Sequence, residues 1–334
     1  MAAARLEGSK SFTKDFLARH RIPTANYQTF TEVEPALAYL RQVGAPIVVK
    51  ADGLAAGKGV ILAEELHTAE RAVRDMLMGG RFGAAGARVV IEDYLRGEEA
   101  SFIAMVGGGQ ILPLASSQDH KARDDGDCGP NTGGMGAYSP APVVTPAMHE
   151  RIMAEVIRPT VEGMAAEGVP YKGFLYAGLM ISPDGTPKVL EYNCRFGDPE
   201  TQPILMRLRS DFVALCLAGV GGHLDRVRAD WDPRAALGVV MAAGGYPDSY
   251  EKGHPISGLH EAAEMPDCKV FHAGTIRKAG RVATNGGRVL CATALGANVA
   301  EAQRRAYSLV KSIHWKDVYF RRDIGHRAIA REED

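Results

Sequence analysis

The stretch Lys188-Val189-Leu190-Glu191-Tyr192-Asn193-Cys194-Arg195-Phe196-Gly197-Asp198-Pro199-Glu200 decides how this chain is read. It begins as an apolar strand and then gathers a carboxylate, an amide, a guanidinium, a glycine and a second acid. Strand residues at i and i+2 point the same way, about 7 Å apart at Cα. Glu191 and Asn193 are thus expected on one face, with Leu190 and Tyr192 on the other. A hard cation such as Mg²⁺ takes oxygen ligands and shares them with substrate phosphates. An acid and an amide at a strand end suit that task, and Arg195 suits a phosphate oxygen. A competing reading is a strand end entering a helix capped by Asp198, with Pro199 at the first helical position. That cap is expected too, but it leaves Glu191, Asn193 and Arg195 unexplained.

Bulk properties narrow the field. At 334 residues the chain is long enough for two or three domains. A hydrophobic content of 46% and a charged content of 24% suit a soluble globular protein. The net charge of −1 offers no basic excess to displace counterions, which argues against a nucleic-acid partner. The 5 cysteines are scattered without a C-x-x-C pair, pointing to a reducing compartment without structural zinc. Cys194 reads as a small buried residue rather than a nucleophile. The N-terminus has no apolar signal-peptide core, and no apolar run reaches the ~20 residues of a membrane span. A cytoplasmic location with no membrane partner is expected.

Along the chain, Ser9 caps a helix that Pro23 ends. Short strands follow at 47–50 and 59–63, then a helix over 68–78 and a strand at 88–92. Residues 101–114 form a hairpin around Gly107-Gly108-Gly109-Gln110, and 116–138 reads as a long polar loop. A helix opens at Thr145-Pro146 and closes before Gly168, with Pro159 expected to kink it. Strands 173–182 and 188–193 pair through Pro183-Asp184-Gly185, so the opening stretch is the second strand of a hairpin. Helical segments run over 199–224. A composition shift at Asp230-Trp231-Asp232-Pro233 marks a boundary, beyond which strands lead to a helix opened by Asn298 with Glu301 in the capping-box position.

Glycine-rich segments suggest phosphate-binding loops. Gly53-Leu54-Ala55-Ala56-Gly57-Lys58-Gly59 fails the Walker spacing, has no Ser or Thr after its lysine, and runs into a strand. A glycine-rich hairpin tip can still fold over a triphosphate and offer backbone N–H groups. Lys50 adds a second cation at the end of the preceding strand. A flexible turn with solvated lysines is the alternative. Glu98 in the acidic turn after Ile91-Glu92-Asp93-Tyr94-Leu95 suits a ribose, and the backbone over 92–95 an adenine edge. His120 reads as a bystander in its loop.

Together these stretches resemble the ATP-grasp enzymes, and more closely the phosphoribosylamine–glycine ligase (glycinamide ribonucleotide synthetase) family. The matching residues run over 49–60, Gly97-Glu98-Glu99-Ala100-Ser101-Phe102, Ser117-Gln118-Asp119-His120-Lys121, Gly129-Pro130-Asn131-Thr132-Gly133-Gly134-Met135-Gly136-Ala137-Tyr138, Glu191 to Glu200, and Thr284-Asn285-Gly286-Gly287-Arg288-Val289-Leu290. The resemblance implies an α+β, ATP-grasp fold with a lid subdomain, an antiparallel-sheet core and a small C-terminal α+β domain. The implied segments are 1–26 (first core helix), 27–98 (lid), 99–230 (core with metal and substrate loops) and 231–334 (C-terminal domain). It implies ligation of glycine to 5-phosphoribosylamine with ATP and Mg²⁺ or Mn²⁺, through a glycyl phosphate, by a monomer. Glu191 and Asn193 then hold the metal, and Lys50, Gly53, Gly57, Lys58 and Gly59 contact phosphates. Glu92, Leu95 and Glu98 line the adenosine site. Asp119, Lys121, Asn131, Thr132, Gly133, Arg195, Gly197 and Asp198 face the substrates, with Arg195 and Lys50 acting on the transferring phosphoryl group. In the family a Rossmann-like domain precedes Leu6-Glu7-Gly8-Ser9-Lys10; its absence here implies nucleotide and metal binding with impaired ligation. Another ATP-grasp carboxylate–amine ligase, or a non-catalytic nucleotide-binding fragment, are the other readings.

Overall fold

The computed structural model describes residues 2–55, 59–80 and 83–333. The chain divides into two compact units, the first made of Met1–Pro113, Thr145–Arg195 and Leu217–Arg226. The second is made of Leu114–Val144, Phe196–Cys216 and Val227–Asp334.

The first unit holds two antiparallel sheets of four strands each. One runs in the order Tyr27–Phe30, Val89–Asp93, Ile47–Ala51, Val60–Ala63. The helices Val33–Val43 and Leu66–Leu77 bury their apolar stripes against it, bringing Leu37, Leu40, Val73 and Met76 onto Ile47, Val49, Val89 and Ile91. The other sheet runs Pro187–Asn193, Gly173–Ile181, Glu98–Gly107, Gln110–Pro113. Both expected hairpins are present, and Gly108 and Gly109 take the positive φ (62° and 78°) that a tight two-residue turn requires. Ser9 caps the helix Lys10–Arg19 through the Phe12 N–H, as expected.

The expected kink at Pro159 takes a particular form. Thr145 caps the helix Pro146–Ile152, but Met153–Ile157 is a π-helical turn before Arg158–Ala166. Proline has no N–H to continue the ladder, and the wider turn absorbs the missing bond.

The second unit is built on a five-stranded antiparallel sheet in the order Cys268–His272, Arg288–Gly296, Ala235–Ala242, Gly136–Ser139, Gln118–Asp119. The helix Val299–Ser312 packs on it through Val299, Ala302, Ala306, Leu309 and Val310. Its cap is the expected one: the Asn298 side chain accepts the Glu301 N–H, and Glu301 Oε2 accepts the Ala297 N–H. The expected long loop at 116–138 is instead largely strand. Gly136–Ser139 lies between Gln118–Asp119 and Ala235–Ala242, and Ala122–Asp124 pairs with Cys128–Asn131. Gly136–Ser139 is buried, and its backbone finds partners on both sides.

Candidate active site

The strand Pro187–Asn193 does not alternate evenly. Glu191 pairs with Gly178 but Val189 with Leu179, so Leu190 is the extra residue of a bulge. Val189 (0% exposed) and Tyr192 (2%) therefore share the buried face, rather than Leu190 and Tyr192. Tyr192 meets the Thr160 hydroxyl inside. Glu191 and Asn193 keep the shared face expected of them, both half-buried, and present an all-oxygen donor pair suited to a hard cation. Arg195 Nη2 donates to Asn193 Oδ1 at 3.3 Å, a contact the sequence did not announce.

Lys50, next to the end of the strand Ile47–Ala51, has its ammonium on the Glu92 carboxylate and on the Leu190 carbonyl, at 3.2 Å from the latter. Glu92 is itself shared with Lys14, and all three side chains are almost wholly buried. Burial alone would raise the Glu92 pKa, but the Lys50 and Lys14 ammonium groups outweigh it and hold the carboxyl below its ordinary range. Burial pushes Lys14 down to about 8. The Glu92 carboxylate is thus committed to two lysines. Leu95 lies in the connection to Glu98–Gly107, which Glu98 opens opposite Ile181.

Of the glycine loop, Gly57 and Lys58 lie outside the described residues. At its two ends, a Cβ on Gly53 would stand 2.7 Å from the Ala85 Cβ, and one on Gly59 2.5 Å from the Ala55 Cβ, so both positions exclude larger residues. The loop root is tied to the chain start: Asp52 accepts from the Ser11 N–H at 2.7 Å and the Ser9 hydroxyl at 3.0 Å, and Lys10 Nζ donates to Gly53 O at 3.1 Å. Lys10 is a site candidate the sequence reading did not single out. Burial lowers its pKa, and the nearby Glu191 carboxylate opposes that shift. The sequence signal was its place directly after the helix cap Ser9, while only the fold brings it beside the glycine loop.

The second unit gathers most of the residues assigned to the substrate side. Lys121 O accepts from Thr132 N at 2.7 Å and from its hydroxyl at 2.9 Å, and Asn131 pairs with Ala122. Asp119 pairs with Ala137 in the sheet. Gly133 donates its N–H to the Tyr246 hydroxyl (3.0 Å), and its carbonyl accepts from Arg288 (2.7 Å). Arg288 also holds Asp198, donating to its Oδ2 at 2.8 Å and to its carbonyl at 3.1 Å. Asp198 is therefore not a helix cap. The helix starts at Thr201 after Glu200, with no side-chain cap, while Gly197 O accepts the Thr201 N–H. The guanidinium offers Asp198 a charged partner that a backbone N–H cannot match. Arg288 and Tyr246 escaped the sequence reading as site candidates, because only the fold brings them to Gly133.

His120 is more than a bystander. It is 2% exposed; its Nε2 accepts the Gly325 N–H at 2.9 Å, and its Nδ1 faces Asp127 Oδ1 at 3.5 Å. His120, Asp127 and His326 bring possible ligand atoms within 4.8 Å of one another. A metal is disfavoured there. Because Nε2 accepts, the ring proton belongs on Nδ1, and the Asp127 carboxylate already takes Arg321 (2.9 Å) and Arg327 (2.6 Å). The cluster is a charge network that ties the loop after Lys121 to residues 321–327.

The chain is similar to known proteins along most of its length. Residues 8–201 match the phosphoribosylglycinamide synthetase ATP-grasp (A) domain, and residues 236–327 match the phosphoribosylglycinamide synthetase C domain. The chain is 75% identical over 331 residues to a phosphoribosylamine–glycine ligase of Allochromatium vinosum, covering 99% of this chain and 77% of that protein. It is 67% identical over 330 residues to the Pseudomonas aeruginosa ligase of the same name, with the same coverage. The crystal structure of the Thermotoga maritima phosphoribosylamine–glycine ligase superposes with a TM-score of 0.88 at 38% identity, covering 97% of this chain and 80% of that one. The biotin carboxylase domain of Hydrogenobacter thermophilus 2-oxoglutarate carboxylase, solved with MgADP, shares the fold at a TM-score of 0.73 and 16% identity, over 94% of this chain and 68% of that one. The chain thus belongs to the phosphoribosylglycinamide synthetase family of ATP-grasp ligases.

Proposed function

We propose that this chain joins glycine to 5-phosphoribosylamine: a glycine carboxylate oxygen attacks the γ-phosphorus of ATP, ADP leaves, and the amine displaces phosphate from the resulting glycyl phosphate. Membership of a family of ATP-dependent carbon–nitrogen ligases supports the reaction class. The observation that carries the site assignment is the end of Pro187–Asn193, where Glu191 and Asn193 share a half-buried face beside Arg195. Such a reaction needs no protein nucleophile, only groups that position the phosphates and neutralise charge as it develops. Mg²⁺ or Mn²⁺ held by Glu191 and Asn193 would neutralise phosphate oxygens. Lys50, fixed by Glu92, provides a buried ammonium that need not reorganise during the reaction. Arg195 orients a planar guanidinium toward the same strand end. Lys121, Asn131, Thr132, Gly133, Gly197 and Asp198, with Asp119, serve the glycine and phosphoribosylamine side.

We read 27–98 as the lid around the first sheet and 231–334 as the C-terminal domain. No helix among the described residues is long and apolar enough to cross a membrane. A cytoplasmic monomer acting on small molecules is the setting this reading carries. The test is ADP release measured with glycine and phosphoribosylamine, each omitted in turn, together with MgADP calorimetry on Glu191→Gln. Dependence on both acceptors and a loss of about tenfold or more in MgADP affinity are expected. Turnover with a different amino acid in preference to glycine would overturn the substrate assignment.

A further inference from the structure

We infer that Glu7 is a positioning residue for Arg195, an assignment that rests on the reading of Arg195 as a phosphate-contacting group. Glu7 lies in the short helix Arg5–Gly8, just ahead of the segment that matches the ATP-grasp domain. Its two carboxylate oxygens do different things: Oε2 accepts the Cys194 N–H at 2.8 Å, and Oε1 lies 3.3 Å from Arg195 Nε. One acid therefore grips the backbone and the side chain of consecutive residues just past the strand that carries Glu191 and Asn193.

The helix that carries Glu7 is itself fixed. Leu6 is 2% exposed, and its carbonyl accepts the Thr13 hydroxyl at 2.7 Å. The Arg195 side chain is 54% exposed, so without a partner it would lose its geometry to rotamer freedom. A guanidinium is a rigid plane, and holding Nε on one side sets where the Nη groups on the other side point. Here Arg195 Nη2 points to Asn193 Oδ1. The chain Glu7–Arg195–Asn193 thus sets the direction of the guanidinium at the strand end, whereas the Lys50–Glu92 pair is held by Lys14 and the Leu190 carbonyl. Glu7 should matter for the terminal phosphate and not for ADP.

The experiment measures by calorimetry, on the full chain, the affinities for MgADP and for the magnesium complex of a non-hydrolysable ATP analogue. Their ratio reads the terminal-phosphate contact without requiring turnover. The variants are Glu7→Gln, Glu7→Asp, Arg195→Met and Glu7→Gln combined with Arg195→Met, each checked by melting temperature. The ratio should fall by about tenfold in Glu7→Gln and in Arg195→Met, the scale of one charge-assisted hydrogen bond, and no further in the double variant. MgADP affinity should stay within about twofold, and Glu7→Asp, which keeps the charge, should lose less. Equal loss for both nucleotides, or additive losses in the double variant, would mean a merely structural Glu7 and overturn the inference. If Arg195→Met lowers the ratio and Glu7→Gln does not, the inference fails while the reading of Arg195 stands. If Arg195→Met leaves the ratio unchanged, both fall.

Discussion

Arg288 grips Asp198 at both ends, with Nη2 2.8 Å from the carboxylate and Nη1 donating to the carbonyl at 3.1 Å. The same Nη1 reaches Gly133 O at 2.7 Å. One side chain therefore sets the spacing between Gly133 and Asp198, two residues assigned to the substrate side. Lysine keeps the charge but cannot make the planar, multiply bonded contact. Arg288→Lys should raise the KM for phosphoribosylamine by about tenfold, one lost charge-assisted contact, and leave MgADP affinity unchanged. Steady-state kinetics beside nucleotide calorimetry check this; an equal loss for both ligands would show that Arg288 only holds the unit together.

Gly134 carries a related prediction. Its φ is +111°, and an added Cβ would collide with the Pro199 ring. Gly134→Ala is both strained in the backbone and blocked in space, so it should cost about 2 kcal/mol or more. Chemical denaturation of the variant measures it. A loss below half a kcal/mol would mean that the Gly133–Gly134 turn can open away from Pro199.

Much of this was legible in the sequence because it is local. Period-two spacing placed Glu191 and Asn193 together, and Pro183-Asp184-Gly185 announced the hairpin beneath them. The bulge at Leu190 was not legible, since it depends on how the neighbouring strand pairs. Asp198 was misread for the opposite reason: a local capping rule fits it, but a guanidinium 90 residues away competes for the same carboxylate and wins. Of the strands hidden in 116–138, Gly136–Ser139 needs the distant Ala235–Ala242 as its partner, and Ala122–Asp124 pairs with Cys128–Asn131 across a short turn that no hydrophobic alternation marks. His120 shows the same limit, since its partners Gly325 and Asp127 flank it from different parts of the unit.

The Lys14–Glu92–Lys50 cluster predicts an asymmetry. Glu92→Gln leaves two buried ammonium groups facing a neutral amide, and breaking a buried pair this way costs about 3–5 kcal/mol. Lys14→Met instead leaves the Glu92–Lys50 pair balanced and removes a cation that burial already disfavours, bringing it down to about 8. It should cost about 1 kcal/mol or less, since an apolar residue of similar size replaces the buried charge. Denaturant titrations of both variants decide it, and equal losses would show that Glu92 does not depend on Lys50 for its neutralisation.

The charge network around Asp127 makes stability depend on acid in two stages. The His120 ring N–H, then Arg321 and Arg327, hold the Asp127 carboxyl well below the ordinary range, with His326 Nε2 facing it at 3.4 Å. Burial would raise Asp323, but the Arg321 hydrogen bond outweighs that and brings it to about 2. In the unfolded chain both aspartates titrate near ~3.9, so below that pH the unfolded state takes up protons that the folded state refuses. His120 acts earlier. Burial lowers its pKa, and protonating Nε2 would break its bond to the Gly325 N–H. Its unfolded value is ~6.5, so the folded state begins to lose ground as pH falls through that value. Melting temperature should decline gently from about pH 6.5 and steeply below about pH 4. Asp127→Asn should be less stable at pH 7, where Arg321 loses a charged partner, yet fall less steeply below pH 4. An Asp127→Asn curve parallel to the wild type across the acid range would show that this carboxylate contributes nothing to the acid transition.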